Sequence, residues 1–63
     1  MLLREINFNN VKKQGFIGLV IRQNNKTIAE GFIGEVLRKI PYLAEHNVLN
    51  QRPYFNEWVI EID

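Results

Sequence analysis

The chain has 63 residues, no cysteine, two prolines, four glycines, 46% hydrophobic and 24% charged residues, and a formal net charge of +1. That length admits a single domain over residues 1–63, and a chain of this size buries only about 60% of the surface its unfolded form exposes. The lack of any thiol excludes disulfides, thiolate catalysis and zinc or iron–sulfur sites built on cysteine.

Taken in chain order, Leu2 to Phe8 can extend as a first strand, with Ile6 and Phe8 two apart. Asn9 to Gly15 follows as a polar loop, and Phe16 to Arg22, rich in branched and aromatic residues, is the best strand in the chain. The next segment supports two readings. Thr27 to Glu30 has capping-box spacing, and apolar positions 28, 29, 32, 33, 36, 37 and 40 recur at helical period. Alternatively, Asn24-Asn25 turns a hairpin, since both asparagines tolerate the positive φ values of a type I′ turn. The hairpin is preferred, because Gly31 and Gly34 would each cost about 1 kcal/mol inside a helix. In its simple register Ile21 faces Ile28, Gly18 faces Gly31 and Gly15 faces Gly34, which accounts for the repeated Gly-Phe-Ile-Gly as a near-symmetric hairpin.

From Glu35 onward an apolar stripe of Val36, Leu37, Ile40, Leu43 and Ala44 predicts a short helix, kinked or broken near Ile40-Pro41 and ending by Asn47. Residues 47–53 are expected to be loop. Tyr54 to Ile62 alternates as a single half-buried strand with Trp58 central. The expected fold class is therefore α+β: a small, mostly antiparallel sheet of three to four strands with one short helix across it, in the order β-β-β-α-β.

Charge is unevenly distributed: residues 1–26 carry a net +4 and residues 27–63 a net −3. The longest apolar or glycine run, Gly15 to Ile21, is seven residues, whereas a spanning helix needs roughly 20. The first residues are charged where a signal peptide would be apolar, so a cytoplasmic location is expected. The eight asparagines fit an AT-rich genome such as that of a phage or plasmid.

Catalytic chemistry has few candidates. Serine is absent, Thr27 has no base at a recognisable spacing, and His46 is the only histidine, expected to be exposed or capping rather than a metal ligand. Glu57 and Glu61 would stand roughly 13 Å apart on one strand, too far for paired acid and nucleophile work. No catalytic residue, metal site or cofactor is assigned, and the chain is read as not an enzyme. The run Val20 to Gly31 resembles the opening hairpin of cytidine-deaminase-like domains, but that family's metal-binding His or Cys, glutamate and Pro-Cys-x-x-Cys do not occur here.

Interaction residues are better represented. Tyr42, Tyr54 and Phe55 lie with Arg52 in the C-terminal third, and aromatic and arginine side chains dominate binding hot spots. The leading expectation is a protein-interaction module, of the kind a phage or plasmid encodes as a modulator of a host protein. It would bind its partner through a sheet edge or aromatic patch, and dimerise through an edge or an exposed face. The alternative is nucleic-acid binding through Lys12, Lys13, Arg22 and Lys26, against which stands a sequence pI of about 8.1 where dedicated binders exceed about 9.

Overall fold

The computed structural model describes Met1–Asp63. The elements are α1 (Phe8–Lys13), β1 (Gly18–Gln23), β2 (Lys26–Phe32), α2 (Ile33–Lys39), β3 (Val48–Tyr54) and β4 (Glu57–Ile62), with single 3₁₀ turns at Leu3–Glu5 and Pro41–Leu43. The strands form one sheet in the order β2-β1-β4-β3. Two antiparallel hairpins, β1–β2 and β3–β4, lie side by side, and β1 runs parallel to β4 at the centre. The α+β class and four strands agree with the sequence reading. The sheet, however, is mixed rather than mostly antiparallel, and the order around the main helix α2 is β-β-α-β-β, with the short α1 ahead of it.

The first departure is at the N-terminus, where no strand forms. Asn7 accepts a hydrogen bond from the Asn10 amide at 3.1 Å and starts α1, so Ile6 and Phe8 fall in different elements. Leu3 sits buried in its 3₁₀ turn, and only an isolated bridge joins Leu2 to Asn47. The second departure is β3, which occupies the expected loop over 47–53. An edge strand tolerates Pro53, and a bulge at Leu49 brings Val48 and Gln51 onto the same face despite their odd spacing. The expected single strand over Tyr54 to Ile62 is consequently divided by a turn at Phe55-Asn56.

The Asn24-Asn25 hairpin forms, with φ values of 52° and 64°, which removes the helical reading of residues 28–32. Its register then departs from the simple count. A bulge at Ile28 pairs Ile21 with Ala29, Leu19 with Gly31 and Gly18 with Phe32, so the glycines do not oppose one another. Without that extra residue Glu30 would face the core opposite Leu19. With it, Glu30 faces away from the core and Gly31 lies under α2, at φ 149°, where an added Cβ would stand 3.5 Å from Val36 Cγ2.

All the helical segments pack on one face of the sheet. Leu19, Ile21, Ile60 and Ile62 from the central strands meet Leu3, Val11, Ile33, Val36, Ile40 and Leu43, forming one buried layer. Trp58 extends it toward Phe16, whose ring centroid is 5.1 Å away. Pro41 ends α2 as expected and starts the 3₁₀ turn that seats Leu43. No helix is long and apolar enough to cross a membrane.

Candidate interaction surface

The β3–β4 connection is built in an unusual way. Tyr54 pairs with Glu57, leaving Phe55 and Asn56 as a two-residue turn in which Phe55 takes φ 55°. Positive φ at such a turn favours glycine or asparagine, and a bulky residue held there costs on the order of 1–3 kcal/mol. The surrounding structure holds it in place: the Asn56 carbonyl accepts from the amides of Ile17 at 3.0 Å and Gly18 at 3.2 Å, tying the turn to the start of β1. Phe55 is 85% exposed. Its one aromatic contact is the Tyr54 ring, edge-on at 4.7 Å.

Beside this turn lies the sheet face opposite the helices, and no element covers it. Register fixes three rows across the order β2-β1-β4-β3. Nearest the turn are Phe32, Gly18, Glu57 and Tyr54; then Glu30, Val20, Val59 and Arg52; then Thr27, Arg22, Glu61 and Asn50. Val20 and Val59 form an apolar centre screened by longer neighbours, at 8% and 6% exposure. Gly18 leaves room for Glu57, since a Cβ there would stand 2.9 Å from Glu57 Cγ.

The charges on this face are ordered. Arg52 Nη1 donates to Glu61 Oε2 at 2.8 Å, and Arg22 Nε lies 3.9 Å from Glu61 Oε1. Arg22 is itself held by Thr27 Oγ1 at 3.1 Å and the Asn25 carbonyl at 2.8 Å. Hydrogen bonding from Arg52 is the main reason the Glu61 carboxyl lies below its usual range. Two arginines thus stand against three glutamates on this face.

Of the residues singled out from sequence, Tyr54 and Phe55 are in ring contact and Arg52 shares the open face with Tyr54. Tyr42 is exposed in the Pro41–Leu43 turn, which packs against the other face. Lys12 and Lys13 end α1, which leads into the start of β1, while Lys26 lies just past the end of β1, roughly 17 Å further along. Arg22 faces the uncovered surface, so the four basic residues do not gather into one patch. Phe32, Val20, Val59 and Glu30 complete the surface and were missed. Their signal is the alternation within β1 and β4, read together with the bulge at Ile28.

A separate polar cluster joins the last residue to the loop before β3. Asp63 Oδ1 accepts from the Asn47 amide at 3.1 Å and lies 3.1 Å from His46 Nδ1, while Oδ2 accepts from Asn47 Nδ2 at 3.2 Å. Hydrogen bonding from Asn47, with a smaller contribution from His46, lowers the Asp63 carboxyl below its usual range. The neighbouring Glu45 is engaged by Arg4 at 2.9 Å. No group of three or more acidic, histidine or cysteine side chains is arranged to hold a metal ion. No protein-family description matches the chain, and no curated protein or solved structure is significantly similar to it.

Proposed function

We propose that this chain is a non-catalytic protein-interaction module that recognises its partner through the Phe55 turn, with Tyr54 and Arg52 beside it. The observation that carries this reading is Phe55 itself. An aromatic ring stands almost fully in solvent at a backbone position that glycine would occupy without strain. Strained residues that the surrounding structure over-determines cluster at ligand-contacting sites. An exposed aromatic next to tyrosine and arginine has the composition of a hot spot.

A protein partner fits the surface better than a nucleic acid does. The glutamates outnumber the arginines on the open face, and Lys12 and Lys13 are separated from Lys26 by the length of β1. An aromatic patch is also favoured over strand addition. Pro53 and the Leu49 bulge interrupt one sheet edge, and the Ile28 bulge interrupts the other. The asparagine-rich composition fits a phage- or plasmid-borne modulator of a host protein.

Phe55→Gly tests the reading. The variant is expected to melt higher, by about 1 kcal/mol of stability, and to lose a partner that the wild-type chain captures from a lysate. Equal capture by both chains overturns the assignment. Micromolar binding of short oligonucleotides that weakens about tenfold or more between roughly 50 and 200 mM salt would replace it with nucleic-acid recognition.

A further inference from the structure

We propose that the uncovered sheet face is where a second copy of this chain binds. The two copies stack face to face about a two-fold axis that runs parallel to the strands, between β1 and β4. The inference rests on reading the chain as an interaction protein, and it names the occupant of the open face.

The parallel pair at the centre of the sheet is the first reason. β1 and β4 have helices on one side only, and on the other Val20 and Val59, at 8% and 6% exposure beneath longer neighbours, form a small apolar floor. Both sheet edges are interrupted by bulges, so association through this face competes with no continuous edge.

Charge complementarity selects the occupant and the axis. Face-to-face stacking by a two-fold requires the axis to lie in the interface plane, either along the strands or across them. An axis along the strands keeps each row in place and exchanges its left and right ends. Glu30 then meets Arg52 of the second copy, and Arg52 meets its Glu30. Arg22 meets Glu61, Val20 meets Val59, and Phe32 meets Tyr54. In the near row Glu57 faces Gly18, over which each chain's own Glu57 already lies, so this row alone brings two carboxylates together at the axis. An axis across the strands would instead set Glu30 against Glu30, Arg52 against Arg52 and Glu57 against Glu61. Like charges directly opposed suppress that arrangement. One orientation thus satisfies the charges of the middle and far rows, and the other opposes them.

The geometry also sets the strength. Stacked sheets sit about 10 Å apart, a gap that arginine and glutamate side chains bridge from opposite sides. Four strands of about six residues present a face of roughly 19 by 20 Å, about 380 Å² a side and less than half of a standard interface, so the dimer is weak and exchanges with monomer in the high-micromolar to millimolar range. Because the axis follows the strands, both Phe55 turns emerge at the same end of the dimer; Arg52 and Tyr54 lie within the pairing face, so in the dimer Phe55 alone stays available to a partner.

Sedimentation velocity across micromolar to millimolar concentrations tests the pairing. The 7.5 kDa chain is expected to reach twice its mass. Glu30→Arg and Arg52→Glu, each alone, are expected to weaken self-association by about tenfold or more. An equimolar mixture of the two variants restores a heterodimer, because each reversed charge then meets its opposite across the interface, although Arg52→Glu still loses its in-chain pair with Glu61, and only folded chains can pass that test. Val20→Lys, at the apolar centre, is expected to dissociate the dimer on its own. A wild-type chain that stays monomeric, single variants that dimerise as the wild type does, or a mixture that stays apart each overturns the pairing. Phe55→Gly is expected to leave the dimer intact, so a failure of the Phe55 reading shows in capture and a failure of the pairing shows in mass.

Discussion

Arg52 on β3 and Glu61 on β4 meet at 2.8 Å across a diagonal of the uncovered face, and Arg22 on β1 approaches the other oxygen of the same carboxylate at 3.9 Å. One acid therefore links three of the four strands. An exposed pair of this kind adds little to stability. Its effect is to hold two long cationic side chains along the sheet, which fixes where positive charge stands relative to Glu30 and Val59.

Acid should loosen this arrangement. The carboxyls of Glu61 and Asp63 both lie below their usual range when folded. The unfolded chain therefore binds protons first as the pH falls. Their contribution is fully present above the ordinary carboxylate values near about pH 4 and is lost as the pH drops through the folded values. The melting temperature should fall across that window. Glu61→Gln and Asp63→Asn should each flatten the dependence, as thermal melts over a pH series would show.

Gly31 is a position where a methyl group should do damage through the backbone. Its φ of 149° is one that side chains rarely adopt, whereas Val36 Cγ2, 3.5 Å from where the Cβ would be, would be in ordinary contact, so the cost is one of backbone strain. Gly31→Ala is expected to cost on the order of 1–3 kcal/mol, measured by urea unfolding. Gly34→Ala, with nothing within 4 Å of the added atom, should be neutral or stabilising.

The Trp58 indole N–H donates to Gln51 Oε1 at 3.0 Å where β3 covers its edge. Gln51→Ala should cost about 1 kcal/mol. The emission of this single tryptophan should also shift as its N–H loses its partner. Gln51→Glu, which keeps the acceptor, should leave the emission close to that of the wild type.

Much of the fold was legible where local chemistry announced it. Asn24-Asn25 specified a turn, Pro41 ended a helix, and the alternation from Trp58 to Ile62 marked the core face of β4. The bulges at Ile28 and Leu49 carry no such mark, because a one-residue insertion is decided by which face is buried across the partner strand. β3 was hidden by its polar residues, which suit an edge strand and a loop equally. The turn at Phe55 was hidden because phenylalanine is the wrong residue for positive φ. Of the candidate surface, Arg52, Tyr54 and Phe55 stood out by their proximity in sequence. Phe32, Val20, Val59 and Glu30 join them only through the register, and Tyr42 shares their composition but not their face.

The parallel junction between β1 and β4 has a kinetic consequence. Each residue of β1 pairs with one 39 positions later, from Gly18 with Glu57 to Gln23 with Ile62, whereas both hairpins close over two-residue turns. Hairpins form in about 1–10 μs, and the entropy of closing the longer loop must be met before its contacts stabilise anything. The two halves are therefore expected to form early and to wait on their union. Changes in the Asn24-Asn25 turn, whose contacts are already made when the halves meet, should therefore chiefly alter the folding rate, whereas seam substitutions such as Ile21→Val and Ile60→Val, whose contacts are completed last, should also raise the unfolding rate.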